Sequence, residues 1–280
     1  MGDEKRIRLI VNGDDFGSSH GANKAILRCH REGILTSASL MVNGNAADNA
    51  VRLARENRSL GVGIHITLVC GKSTLKPSET FGLVNHRFEF SNSPFLAGCK
   101  YFFNRAIRHF LRQEIDAQLR EFRITGLPLD HLNGHCNMHL HPTIFTMVKK
   151  HAREWGVRAV RVTDDPLLMN LRIAGGNYLY RLSHAFAFSR LSARARPSLD
   201  RRGVYYTDRV FGLLQSGRIT EKYLLRLLDE LRPGTYELYA HPDEDEHEEE
   251  TEALCSPAVK AKVEELGIEL VRYQDVAPRR

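Results

Sequence analysis

Two adjacent carboxylates, Asp14 and Asp15, follow the apolar triplet Leu9, Ile10 and Val11 in "LIVNGDDFGSSHG". The triplet reads as a buried strand, and Gly13, Gly17 and Gly21 mark a loop in which backbone segments can approach closely. The carboxylates therefore sit at the strand's C-terminal mouth, where like charges repel unless a cation or hydrogen-bond donors offset them. A solvated pair at a turn is the plain alternative. Other polar groups recur in comparable places: His65 in "GVGIHITL", His135 closing "LDHLNGH", Arg161 near the end of "VRAVRV" and His241 after "YELYA". All fall at C-terminal ends of expected strands, the edge at which parallel α/β sheets and barrels hold their sites.

The segment "HLNGHCNMHLHP" places His131, His135, His139 and His141 within eleven residues. It does not match a structural zinc signature, because Cys136 stands alone and no second Cys/His pair has the required spacing. A catalytic site with three protein ligands and open positions fits better. One carboxylate and two imidazoles suit one divalent ion, zinc or another first-row metal, with magnesium as the alternative.

These residues need elements to position them. Candidate strands at 8–12, 36–42, 61–68, 129–134, 157–162, 203–206, 234–240 and 268–273 alternate with helical patterns at 22–32, 45–56, 104–124, 142–155, 220–231 and 256–266. Such alternation predicts parallel βαβ units. Pro142 and Ser256-Pro257 open helices, and Gly156 and Gly267 close them. With 280 residues, 42% of them hydrophobic, the chain can bury a full core. The expected fold is α/β, one domain over 1–280 forming a distorted (β/α) TIM-like barrel. Stretches 70–100 and 163–202 exceed ordinary βα loops and read as two long insertions that shape the substrate site.

Charge narrows the partners. The net charge of +6 permits an anionic partner, but no nucleic-acid motif is visible, so no nucleic acid is expected. Residues 172–209 carry eight arginines against Asp200 and Asp208, interleaved with Tyr178, Leu179, Leu182, Phe186 and Phe188. This stretch either rests on a membrane surface or packs its apolar side chains on the barrel. "DEDEHEEETE", residues 243–252, reads as a solvated acidic loop. Five scattered cysteines without a CxxC pair predict reduced thiols. The charged lead "MGDEKRIR" precedes the first strand without an apolar leader, and no run reaches membrane-span length. A cytoplasmic, non-integral protein is expected, with 172–209 as its contact at the inner membrane face if the first reading of that stretch holds.

"IVNGDDFG", "TSASLMVNG", "GVGIHITL", "LDHLNGHCNMHLHP" and "YELYAHPD" occur in that order over nearly the whole chain. Together they resemble the YdjC/ChbG-type carbohydrate deacetylases. The block "KYFFNRAIRHFLRQEIDAQLREFRITGLPLDH" and the closing "LGIELVRYQDV" are most similar to the hopanoid-biosynthesis-associated branch. The resemblance implies a metal-dependent N-deacetylase, acting on an N-acetylglucosaminyl hopanoid glycolipid or, as in other branches, on soluble chito-oligosaccharides. It implies Asp15, His65 and His135 as metal ligands and Asp14 as general base. The metal would polarise the amide carbonyl and stabilise the oxyanion. His241 is then the candidate general acid for the departing amine, and Arg161 the group that orients Asp14, a surface salt bridge being its plain alternative. This chain departs from the family pattern at Asn133, where others carry Asp, and at Cys136 and Asn137, where many are richer in histidine. His139 and His141 are left as neighbours of the ligands or as substrate-facing groups.

Overall fold

A computed structural model describes residues 6–278. Five residues of the mixed-charge lead, 1–5, lie outside the described residues, as do 279–280. In chain order the elements are β1 (Ile7–Phe16), α1 (His20–Glu32), β2 (Ser37–Leu40), α2 (Ala47–Glu56), β3 (Gly61–Ile66), α3 (Pro77–Thr80), α4 (Pro94–Phe103), α5 (Arg108–Ile124) and β4 (Leu129–Gly134). A short 3₁₀ segment, His135–Leu140, follows β4. Then come α6 (Pro142–His151), α7 (Leu167–Ile173), α8 (Tyr178–Asp200), β5 (Arg209–Phe211), α9 (Glu221–Glu230), β6 (Gly234–Ala240), α10 (Glu248–Cys255), α11 (Pro257–Glu265), β7 (Glu269–Leu270) and α12 (Tyr273–Val276).

The strands form one parallel sheet in the order β4-β3-β2-β1-β6-β5, with β7 added beside β1. Between β4 and β5 only isolated bridges occur, Leu132 to Val160 and Ala159 to Tyr205. The structure is thus a parallel α/β half-barrel, in keeping with the distorted (β/α) barrel expected. The strands expected at 157–162 and 203–206 both shrink to these bridges, and a further short strand follows at Arg209–Phe211. Arg161, fully buried, spends its side chain on carboxylates from two other strands, and the chain leaves the ladder soon after it.

Alternation along the strands separates two environments. On β1, Leu9 and Val11 join the apolar layer beneath the helices, while Asn12 and Asp14 face the polar barrel interior. Ile10, Ala159 and Tyr273 form a small apolar plug inside the same barrel. On β3, glycine is required by space: a Cβ on Gly63 would lie 2.5 Å from the His131 ring.

The expected insertions contain their own helices. The helix expected to begin at 104 starts at Arg108, because Pro94–Phe103 forms a separate helix opened by Ser93, whose side chain accepts from the Leu96 amide. The first insertion is tied down by buried polar groups of α5. Glu114 accepts from the Thr74 and Leu75 amides at 2.8 and 3.0 Å, and Gln118 pairs with both backbone groups of Thr67. The second is held where Ser192 donates to the Thr163 carbonyl and Thr163 donates to Asn137 of the 3₁₀ segment. Both α4 and α8 pack on that segment, so the insertions flank the strand mouths.

Candidate active site

Consecutive strand residues point to opposite faces, so Asp14 and Asp15 would ordinarily diverge. At Asp15 the backbone turns left-handed, φ 61°, and the register with β2 shifts between Gly13 and Phe16. This bulge swings Asp15 to the mouth beside the His65 and His135 rings. Asp15 Oδ1 lies 3.1 Å from His65 Nε2 and 2.8 Å from His135 Nδ1. One donor atom from each of the three residues lies within 4.8 Å of the others.

The donor chemistry fits a cation. Asn133 turns its amide nitrogen toward Ser39 Oγ and Asp14 Oδ1, so its oxygen accepts from His65 Nδ1 at 2.7 Å. With its proton on Nδ1, a neutral His65 presents the Nε2 lone pair to a carboxylate oxygen. Two acceptors face each other at that distance unless a cation or an added proton lies between them. Asn133 thus does by its carbonyl what an aspartate would do by charge. Burial disfavours charge on Asp15 and His135, but their mutual attraction outweighs it. Asp15 is held well below the usual carboxylate range, and the His135 imidazole is pushed up to about 11.

Asp14 lies in a different setting. Arg161 grips it in a fork, Nη1 donating to Oδ2 at 2.6 Å and Nη2 to Oδ1 at 2.8 Å, and Asn12 donates to Oδ1 at 2.7 Å. Burial opposes its ionisation, yet Arg161, then His65, outweigh it and keep the carboxyl well below its ordinary range. The same guanidinium donates twice to Glu237 Oε1, at 2.9 and 2.7 Å, and lies 4.2 Å from the Tyr239 ring centre. Tyr273 donates to the other Glu237 oxygen. Arg161 is therefore no surface salt bridge: it is shared between two buried carboxylates, leaving the trio with a net negative charge.

His241 follows β6, partly exposed. Its amide donates to Glu250 Oε2 at 2.6 Å, and its ring Nδ1 stands 3.9 Å from that same oxygen, beyond hydrogen-bond range. It is close enough to Asp14 to favour that carboxylate's ionised form.

Several expectations change here. The acidic run is not simply solvated: Glu250 is only 1% exposed and also accepts from the Ile219 amide, and Asp243 accepts from Ser19 Oγ. An acidic pattern reads the same whether its middle residue faces water or caps a strand end. His131 is not at the mouth. Ser39 Oγ accepts from Asn12 and Asn133, so it donates to His131 Nε2, and His131 Nδ1 donates to Asp130. His139 is fully buried, its Nε2 donating to the Arg161 carbonyl, and burial presses its imidazole down to about 3. His141 sits between Tyr101 and Phe102 of α4. Sequence reasoning missed Glu237 and Tyr273. Glu237 carried a signal, a charged residue within the otherwise apolar "YELYA", whereas Tyr273 carried none.

A parallel half-barrel with carboxylates and imidazoles gathered at its strand ends defines the class of α/β proteins with a strand-end polar site. The chain belongs to the YdjC-like protein family, whose pattern it matches over residues 8–265. It is 30% identical to a carbohydrate deacetylase of Geobacillus stearothermophilus over 95% of this chain and 96% of that one. It is 27% identical to a chitooligosaccharide deacetylase of Proteus mirabilis over 96% and 98%. A carbohydrate deacetylase of Brevibacillus brevis is 41% identical, but that match spans 54% of this chain and 58% of the relative. A solved Enterococcus faecalis structure shares the fold, with a TM-score of 0.74 at 21% identity over 98% of this chain and 100% of that one.

Proposed function

We propose that the protein is a metal-dependent carbohydrate N-deacetylase, one domain over 1–280, that hydrolyses the acetamide of an N-acetylglucosaminyl group to acetate and a free amine. The observation that carries this reading is the convergence of Asp15, His65 and His135 beside a separately held Asp14. Two imidazoles and a carboxylate suit zinc better than magnesium, which prefers oxygen ligands and retained water. Bound there, such an ion would polarise the amide carbonyl and make the attacking water more acidic. Asp14 takes the proton from that water. Its Oδ2 accepts one hydrogen bond from Arg161 and keeps a lone pair for the purpose. Arg161 holds the carboxylate in place, and its charge is shared with Glu237, so Asp14 is oriented without being fully neutralised. His241 protonates the departing amine.

The acceptor is a membrane glycolipid, a hopanoid on the resemblance of the closing motifs. Support comes from the rim. Phe95, Leu96, Phe102 and Phe103 of α4 and Tyr178, Leu179, Leu182 and Phe186 of α8 are exposed, Leu179 at 83% and Phe103 at 77%. Leu179, Leu182 and Phe186 recur at helical spacing on one side of α8. No Asp or Glu occurs from 166 to 199, and Arg190 and Arg194 are exposed in that span. Arg181, by contrast, is buried, and Phe188 and Leu191 pack on the core, so part of 172–209 belongs to the fold. No helix among the described residues is long and apolar enough to cross a membrane, and contact would be peripheral.

A second reading, a soluble chito-oligosaccharide, is favoured by the polar groove beside the mouth lined by Ser18, Asn43, Asn45, Lys72, Glu89 and Asn92. Acetate release from an N-acetylglucosaminyl hopanoid and from chitobiose, with and without zinc after chelation, decides between them. Release from the lipid alone supports the glycolipid. Release from chitobiose alone selects the second reading. Silence on both with zinc restored overturns the deacetylase.

A further inference from the structure

Two cysteines the chemistry above does not use stand at the same mouth. Cys70 ends the stretch after β3, and Cys136 follows His135; both adopt left-handed backbone conformations, φ 49° and 51°. Such conformations are uncommon for residues other than glycine and are held here by the surrounding fold. Their effect is to bring the two sulfurs and a ring nitrogen of His135 within 4.8 Å of one another. Cys136 is exposed and Cys70 half-buried, so the group is open to solvent. Both thiols are free.

Two sulfurs and an imidazole nitrogen are a soft donor set, unlike the carboxylate and two imidazoles next to it. We propose that Cys70, Cys136 and His135 form a second cation site, which takes zinc in excess or a softer cation such as cadmium. Binding replaces two S–H bonds with two sulfur–metal bonds and releases two protons. Among the described residues no fourth His, Cys, Asp or Glu joins the group, so water completes the coordination. His135 is common to both groups, and its ring can be turned fully toward only one of them. Filling the thiolate site therefore draws His135 away from Asp15 and His65, and it makes excess or soft metal an inhibitor. The site itself stands on geometry alone; the inhibition rests on the deacetylase reading.

The test is a cadmium titration of the reduced, zinc-loaded protein without oxygen, following the ultraviolet thiolate-to-cadmium charge-transfer band and acetate release together. The expected result is a band that saturates at one cadmium per chain while turnover is lost in step. C70S and C136S should each lose most of the band. The double variant should keep basal turnover and escape inhibition. The chain supplies a control, because Cys29 and Cys255 lie 3.7 Å apart, sulfur to sulfur, without a third ligand among the described residues. A band that survives C70S/C136S but disappears in C255S overturns the site, as does no band at all. A band without loss of turnover overturns the competition for His135. If no substrate releases acetate, the proposed function fails, and the band still decides the site.

Discussion

The barrel interior and the two insertions use opposite rules. Inside, polar side chains are buried and each is held by others: Asp14 by Arg161 and Asn12, His65 by Asn133, Asn133 by Ser39. Outside, on α4 and α8, large apolar side chains are exposed. Buried polar groups cost free energy unless every one is paired, so the interior tolerates little change and defines chemistry. Exposed apolar groups cost little in the free chain and gain when covered, so under the proposed function the rim is where an acceptor would be met. The contrast separates reaction from substrate.

The largest expected effects break the interior. H135A should lose bound metal and turnover together, and D14N should lose turnover while metal stays bound; metal content after dialysis, measured beside acetate release, distinguishes them. Near-normal turnover in D14N would remove Asp14 as the base. H241A should lower kcat by roughly 10²–10⁴-fold at unchanged metal content, whereas an effect confined to KM would make His241 a binding group.

A smaller effect tests the rim. Replacing Leu179, Leu182 and Phe186 together by serine removes side chains whose burial contributes about 1.5 kcal/mol or more each. Binding to anionic vesicles should weaken by at least about tenfold, with turnover of a soluble acetylated sugar unchanged. Equal loss on both substrates would mean that α8 supports the site rather than the acceptor.

A separate effect concerns pH and joins the two regions. His139, in the 3₁₀ segment, is pressed by burial to about 3, so between the unfolded value near 6.5 and that point the unfolded chain binds the extra proton. Stability from this group falls as pH falls through that window. Asp165, at the start of the second insertion, is pushed up by burial to about 7, so from about 4 upward the folded chain holds the extra proton. Its contribution falls as pH rises. The two slopes, each about 1.4 kcal/mol per pH unit, oppose one another between about pH 4 and 6.5. In denaturant titrations H139Q should gain stability on acidification across this window relative to wild type, and D165N should lose it. Parallel profiles would show that neither group titrates as its burial implies.

Much of the site was legible because chemistry-bearing residues interrupted apolar strands at their ends. Asp14, Asp15, His65, His135, Arg161 and His241 all stand out against neighbours such as Ile64, Ile66 and Leu132. Less legible was anything that depends on which way a side chain turns. Four histidines within eleven residues look alike in sequence, yet His135 reaches the mouth while His131 and His139 are buried hydrogen-bonding groups. Glu250 was hidden within a run of acids whose pattern reads as solvated.

Strand order along the chain, the alternation that makes a parallel α/β sheet, and the residue types at each strand end follow from the sequence alone, because periodicity and turn chemistry are local. Tertiary structure decided the rest. The left-handed turn at Asp15 that brings two neighbouring carboxylates to one edge, the sharing of Arg161 between Asp14 and Glu237, and the opening between β4 and β5 all depend on contacts between different elements of the chain. A local pattern carries no record of such contacts, since burial and partner are properties of the closed fold.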